Sequence, residues 1–432
     1  MNLRLRLFAL AAAALLGSIG ASCIAAGGLE VSPLASPAAA KGSDNPSLAT
    51  GPDGTIWLSW LEATAESETT LKLATFDPGS GRWSEARTVF RQSNWVANIF
   101  DAPQVAAQSA ERATAVWSAG LSDKDGNVGS PRAYVSETAD GGLTWSSPKL
   151  LSSESESVEY VSLVPVAGGG LLAAWIDARG RKTEATAPQL YSRLIGGTGP
   201  DTVVDPSVCD CCRNSVAPLP DGGALLAYRG RTAGQVRDIV IARFNQGSWD
   251  PSRASTDDCW KIEGCPVNGP RVYSRGPSVS LVWVTGAGDR LRVLTKESAD
   301  AGRHFGPTQQ VDLGNPGGRV DTLITPDGTQ VVTWLESTGA ETKVAAGLYL
   351  RTYLKSRPLI EPTLVTPLLN DPVGRVFPRV ALVGGGRGTP SRLLFAYTRP
   401  GDSPRVETLL VSLPSALSAS AAWRTDGSLA LR

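Results

Sequence analysis

Three cysteines stand within four positions in VCDCCRN (208–214), in a chain of 432 residues that holds six. Cys259 and Cys265 follow in DDCWKIEGCPVNGP (257–270), and Cys23 stands near the N-terminus. Thiols this close can cross-link loops, hold a soft metal such as Cu(I) or zinc, or exchange electrons. The spacing, C-x-C-C and then C-x5-C, makes a poor zinc knuckle. Disulfides among Cys209, Cys211, Cys212, Cys259 and Cys265 are therefore the first expectation, with no metal and no cofactor. A bridge from the triple cluster to Cys265 is one such pairing, and an odd cysteine is left over.

A second group of side chains suits anion chemistry. Asp177 and Arg179 lie in WIDARGR (175–181), Arg229 and Arg231 in YRGR (228–231), and Arg237 and Asp238 in VRDI (236–239). Arg213 belongs to the cysteine stretch itself. Guanidinium forks bind carboxylate, sulfate or phosphate bidentately, so Arg179, Arg213, Arg229 and Arg237 are read as the wall of an anion pocket. Trp95, in NWVANIFDAP (94–103), and Trp260 would stack on a sugar face, with Asn268 as a further polar contact. Asp177 and Asp238 are the carboxylates available for acid–base work on a glycosidic bond. The alternative is an Arg–Asp network that ties neighbouring loops together. One histidine, His304, excludes a His-based triad and a His-rich zinc site.

Residues this far apart need a scaffold that gathers them. Gly 46, Pro 30 and Trp 12 point to turns and strands rather than helices. Lys and Arg number 41 against 41 Asp and Glu, so no basic footprint for nucleic acid is present. An apolar strand ending in Trp or Tyr recurs at intervals of about 55 residues, a period typical of propeller blades. Its copies end at Trp60, Trp117, Trp175, Tyr228, Trp283, Trp334 and Tyr397. An inner strand precedes each copy (PSLAT, PQVAA, NSVAPL, GPRVY, FPRVALV), with turns such as GPDGT, LPDGG and TPDGT between the two. An alternating strand follows, and a weaker outer one. The pattern predicts an all-β propeller over 29–413 with seven four-stranded blades, or six if one unit is an irregular insertion. LEVSPLA (29–35) is expected to supply the strand that the last blade lacks, closing the ring and removing its open edge. Loops joining second to third strands and blade to blade would then share one face, where the residues above converge.

TADGGLTW (138–145) and SADAGRHF (298–305) fit the Asp-box pattern Ser/Thr-x-Asp-x-Gly-x-x-aromatic. The pattern is carried by Thr138, Asp140, Gly142, Thr144 and Trp145, then by Ser298, Asp300, Gly302 and Phe305. On these motifs and the blade repeat the chain resembles the sialidase (neuraminidase) superfamily over 46–413. The resemblance implies a propeller and a structural use of the boxes, on the rim away from the ligand. It also implies three arginines on a substrate carboxylate, a Tyr–Glu nucleophile pair, an Asp acid/base and an Arg in a Phe/Tyr-Arg-Ile-Pro motif ahead of the first blade. That motif is missing, and VFRQS (89–93) is the nearest string. Tyr228 and Tyr397 occupy core positions, and no Tyr–Glu pair stands out. CDCC and WKIEGCPVNGP also resemble exported bacterial sialidase-like proteins of unassigned activity, in which Gly is usual where this chain has Cys259.

Arg4 and Arg6 ahead of the apolar run LFALAAAALLG (7–17) read as an export signal over 1–23, too short to span a bilayer. GASC (20–23) resembles a lipoprotein box, so Cys23 is either lipidated or lost in simple cleavage. Residues 414–432 are a Ser/Ala-rich tail. The sequence thus favours an exported binding propeller with an anionic or carbohydrate ligand and no nucleic acid. Its only membrane contact would be a lipid anchor, and its protein partners are not legible. A sialidase-like glycoside hydrolase is second, and a thiol- or metal-handling envelope protein third.

Overall fold

The computed structural model describes residues 23–25, 29–63, 68–155, 157–179, 181, 183, 186–337, 346–368, 376–385, 390–401 and 403–414. The expected signal run and nearly all of the C-terminal tail lie outside them. Seven antiparallel sheets follow one another along the chain. Their inner strands are Ser43–Thr50, Gln104–Ala107, Val158–Pro165, Ser215–Pro218, Arg271–Arg275, Pro316–Ile324 and Arg379–Val383. The second strands end near the repeating aromatics: Ile56–Ala63, Ala113–Leu121, Leu171–Asp177, Ala224–Arg229, Ser278–Thr285, Gln330–Ser337 and Arg392–Arg399. The chain is a seven-bladed β-propeller.

Each second strand is buried on both faces, because its sheet is sandwiched between the two neighbouring blades. Leu171–Asp177 is buried at every position, and Ile56–Ala63 at all but its last two. This double burial explains why these strands read as continuous apolar runs rather than as an alternation. Trp60, Trp117, Trp175, Trp283 and Trp334 are all at most 2% exposed. A buried indole N–H needs an acceptor; Trp283 finds one in Asp258 at 2.7 Å, and for three others the chain supplies one two residues later. Trp60, Trp175 and Trp334 donate to Glu62, Asp177 and Glu336 at 3.4, 2.9 and 2.6 Å.

The ring closes as the sequence predicts. Leu29–Leu34 pairs antiparallel with Arg405–Ser412, from Glu30 opposite Ser412 to Leu34 opposite Thr408, as the outer strand of blade 7. Blades 1 and 7 are further stitched where Thr398 Oγ1 donates to Asp44 at 2.6 Å and Val406 N to Ser43 Oγ at 2.9 Å. Cys23–Ala25 adds a short strand beyond Leu29–Val31.

The turns at 138–145 and 298–305 lie between third and fourth strands. Asp140 accepts from Thr138 Oγ1 and from the N–H and hydroxyl of Thr144, and these bonds, led by the Thr144 hydroxyl, pull its carboxyl down to about 2. Asp300 is held low in the same way, first by the His304 N–H, and His304 Nδ1 sits 2.6 Å from it on an otherwise exposed ring. Gly142 (φ 83°) and Gly302 (φ 78°) press on Leu73 and Leu225 of the preceding blade, where a Cβ would collide. Trp145 and Phe305 pack into the same seams. These turns join blades and lie at the sheet ends away from the blade junctions.

Candidate functional site

The predicted pocket residues divide into four places, Trp95 lying by itself in the seam of blades 1 and 2, and most are already committed to the protein's own groups. Asp177 is fully buried and accepts from Trp175 Nε1, Ser155 Oγ and the backbone and side chain of Arg179. It is the blade 3 copy of the Trp–carboxylate pair, not a free acid/base. Arg179 lies 4.1 Å over the Tyr191 ring and bridges Asp177, Asp201 and Glu154. It is a blade 3 clamp.

Between blades 4 and 5, Arg229 is 1% exposed and spends its guanidinium on backbone carbonyls. It donates to Arg237 at 2.6 Å, to Asn268 at 3.2 and 2.8 Å and to Val284 at 2.7 Å, with Trp260 4.9 Å beneath. Trp260 is 7% exposed and Trp95 4%, so neither offers a face to a sugar. Asp238 accepts from the N–H groups of Cys259 and Trp260 and fixes the start of the 257–270 loop. Arg237, 2% exposed, donates to Cys209 Sγ at 3.3 Å and to Gln235 at 3.1 Å. Asn268 serves as a hinge point, accepting from Arg229 and, through Oδ1, from Arg319 N at 3.1 Å.

The groups that meet at the ring axis are different. An axial cavity of about 550 Å³ is lined by the inner strands of all seven blades. At its mouth, on the blade-junction side, blades 4 to 7 each bring an arginine from at or near the start of the inner strand: Arg213 two residues before Ser215–Pro218, Arg271 and Arg379 as first residues, and Arg319 as the fourth residue of Pro316–Ile324. All four line one small pocket of about 30 Å³, with Phe100 and Phe377 beside them. Tyr160 also lines the axial cavity, with Asn98, Glu159 and Asp101 bonded around it: Asn98 Nδ2 donates to Glu159 and to the Tyr160 hydroxyl, and Asp101 accepts from Tyr160 N. Of the predicted pocket arginines only Arg213 belongs here, with Asn268 on the rim. The missed signal is short: GPRV, GGRV and FPRV carry Arg271 and Arg379 at the head of an inner strand and Arg319 in the first part of another, beside a break in its register.

The segment 98–102 reaches across the opening. Arg213 donates to the carbonyls of Phe100 and Ala102 and lies 3.5 Å from Asp101. Arg319 stacks 4.3 Å over Phe377 and 5.9 Å from Phe100. Arg271 pairs with Asp321 at 2.8 Å. Arg379 has no such partner: among the described residues its guanidinium donates only to the Pro378 carbonyl, at 3.5 Å, while the residue is 5% exposed. Burial, then the charges of Arg271 and Arg213, push it well below the usual guanidinium range. Burial also brings Arg319 down to about 10. Across the mouth, burial and then Asp101 raise Glu159 to about 7 although Asn98 Nδ2 donates to it at 2.9 Å. Asp101 is raised by burial against the opposing pull of Arg213. Tyr160, held at φ 57° beside a break in strand register, is kept as the neutral phenol by burial and by Glu159. The Glu159–Tyr160 pair was not legible because the register break turns two consecutive residues toward the mouth together.

The cysteines also meet. Cys211 and Cys265 form a disulfide joining the entrance of blade 4 to the 257–270 loop. Cys209 and Cys212, a C-x2-C pair that the C-x-C-C reading overlooks, are buried thiols with Sγ atoms 3.0 Å apart. Cys259 takes no part: it is exposed, unbridged and at φ 56°, a backbone region that favours glycine.

No protein-family model and no curated protein sequence matches the chain. Solved structures do. An ulvan lyase of polysaccharide lyase family PL25 superposes with a TM-score of 0.52 at 11% identity, covering 90% of this chain and 99% of the lyase. The Hadza microbial sialidase Hz136 superposes with a TM-score of 0.47 at 13% identity, over 68% of this chain and 63% of the sialidase. The α-L-arabinofuranosidase Arb93A of Fusarium graminearum gives 0.46 at 13%, over 92% and 99%. Such identities bear on the fold alone.

Proposed function

We propose that this propeller binds an anionic carbohydrate by its carboxylate or sulfate, at the arginine-headed mouth of the axial cavity. One observation carries the reading: Arg379 is buried beside Arg271 and Arg213 with no ion pair of its own among the described residues, and Asp321, whose charge reaches it, is already paired with Arg271. A cation so placed is costly unless an anion arrives. Phe100 and Phe377 add apolar surface for a sugar ring, and a planar guanidinium suits bidentate capture of a carboxylate. In support, an ulvan lyase of the same fold was solved bound to GlcA(1-4)Rha3S. The turns at 138–145 and 298–305, set between third and fourth strands, support kinship with the sialidase superfamily. The apolar run at 7–17 and the Cys211–Cys265 disulfide support work outside the cytoplasm, where disulfides persist.

Thermal melts test the reading. Uronate- or sialate-bearing oligosaccharides should raise the melting temperature, by an amount equivalent to about 2.7 kcal/mol at a hundredfold excess over Kd. Their neutral counterparts should not, and the effect should shrink as salt rises. Equal stabilisation by neutral and anionic sugars would remove the basis of the proposal.

A second reading, turnover, has one specific support: a carboxyl at Glu159 poised near neutrality beside the raised carboxyl of Asp101. Such a pair is suited to proton transfer at a glycosidic bond. A fluorogenic sialoside should then be hydrolysed by the protein, with a loss of about 10²-fold or more in Glu159→Gln. Binding without turnover leaves the first reading standing alone.

A further inference from the structure

We propose that Cys209, Cys211, Cys212 and Cys265 form a thiol–disulfide exchange site, in which a buried dithiol trades places with the Cys211–Cys265 bridge and so unties the 257–270 loop from blade 4. The exchange depends on no reading of the ligand at the mouth, although Cys211 lies on the wall of the arginine pocket.

The geometry sets out the exchange. Cys209 Sγ lies 3.0 Å from Cys212 Sγ and 4.0 Å from Cys211 Sγ, so one sulfur adjoins both a thiol and a disulfide. Cys209 is fully buried and Cys212 is 1% exposed, beyond the reach of bulk solvent. Arg237 donates to Cys209 Sγ at 3.3 Å, and the charge of Arg229 acts on both thiols. Facing guanidinium stabilises a thiolate, which is the attacking species in exchange. Hydrogen bonding from Cys212 and the two arginines bring Cys209 down to about 6, while burial raises Cys212. The pair is thereby split into an attacking thiolate and a second thiol. The same two cations weigh against a metal ion at the cluster, since a third positive charge would enter beside them.

The exchange balances without an outside oxidant. The Cys209 thiolate attacks Cys211 Sγ: the Cys209–Cys211 bond forms, the Cys211–Cys265 bond breaks, and its electron pair leaves on Cys265 Sγ. Cys265 is exposed and takes a proton from solvent. Cys212 then attacks Cys209 Sγ, forming Cys209–Cys212 and breaking Cys209–Cys211, while its proton passes to the departing Cys211 sulfur, which lies within 4.8 Å. One disulfide and two thiols stand at each end of the sequence.

The two isomers differ in what they hold. With Cys211–Cys265 closed, the loop is tied midway between its anchors at Trp260 and Asn268. With Cys209–Cys212 closed, both bridging residues belong to blade 4 and the tie is lost. Asn268 and Cys211 line the arginine pocket, so the state of the bridge sets how firmly its wall is held. Cys265, at the exposed end, is the point of entry for an external dithiol or disulfide.

Peptide mapping tests this in the Cys259→Ser protein, which removes the unrelated exposed thiol and leaves the cluster intact. The folded protein is equilibrated across ratios of reduced to oxidised dithiothreitol, quenched in acid, alkylated with N-ethylmaleimide under denaturation and digested. At the stage with two thiols among the four, both Cys211–Cys265 and Cys209–Cys212 are expected, the minor form on the order of a tenth or more. Adding Cys212→Ser should accumulate Cys209–Cys211 with Cys265 alkylated, because the second step is blocked. A single isomer at the two-thiol stage across every ratio would overturn the proposal, and that measurement needs no change in the buried cluster.

Discussion

Replacing Arg229 with alanine is expected to lower the stability of the folded protein by about 3–5 kcal/mol, with or without any ligand. The side chain makes four donations to three backbone carbonyls, those of Arg237, Asn268 and Val284, and lies over Trp260. Hydrogen bonds from a charged donor contribute about 1.5–3 kcal/mol each in net terms, and an orphaned buried acceptor costs about 1–3. Truncation would orphan carbonyls on two blades and leave a cavity above an indole that is 7% exposed. These losses do not add fully, because the three carbonyls share one donor group, so the lower part of their sum is the expected result. Lysine should not rescue, since one ammonium on a flexible stem cannot reproduce a planar fork aimed at three acceptors. Urea denaturation followed by tryptophan fluorescence reads the effect directly. A loss below about 1 kcal/mol with weakened binding of anionic sugars would return Arg229 to the ligand pocket, where its sequence context first placed it.

Arg229 also shows how far the sequence could be read. Blade count, strand order and the closing strand at 29–34 were legible because each rests on a local pattern that repeats: an apolar run, an aromatic end, a turn. The site rests on ring closure, which has no local pattern. Arg179, Arg229 and Arg237 drew notice as charges in loops, yet Arg229 ends a strand and all three are turned inward against carbonyls, thiols and carboxylates. Arg271, Arg319 and Arg379 were passed over as ordinary strand residues, although each lies in the first part of an inner strand, which is what a closed ring brings to its axis. Asp177 was misread for a related reason. Its neighbours in kind, WLE at 60–62 and 334–336, already showed that an acidic residue two places after the aromatic is part of the blade repeat. The disulfide was reachable as one pairing among several, because adjacent blade entrances had to meet. Which thiols stay reduced depends on side-chain direction, and spacing does not carry that.

Arg379→Met should act in the opposite sense to Arg229→Ala, raising stability while abolishing much of the anion binding. Arg229 satisfies its surroundings; Arg379 does not. Its guanidinium is buried beside Arg213 and Arg271, and among the described residues it donates only one long bond, to a neighbouring carbonyl. Desolvation and like-charge repulsion both oppose folding here, and methionine fills similar space without either. A gain of about 1–2 kcal/mol in the unliganded protein is expected, seen as a higher melting temperature. The same charge is what an incoming carboxylate or sulfate would meet in a site already stripped of water, where a charge-assisted bond contributes about 1.5–3 kcal/mol. Affinity for uronate- or sialate-bearing oligosaccharides should therefore fall by roughly 10- to 200-fold, and the salt dependence of binding should weaken with it. Calorimetric titration beside thermal melts on one preparation measures both quantities. The pairing of signs decides the matter: a merely structural arginine gives lower stability on removal, whereas a residue kept for a ligand gives higher stability and lost affinity. A variant that melts lower and binds as before would place Arg379 among the clamps, and the anion would have to be sought away from the axis.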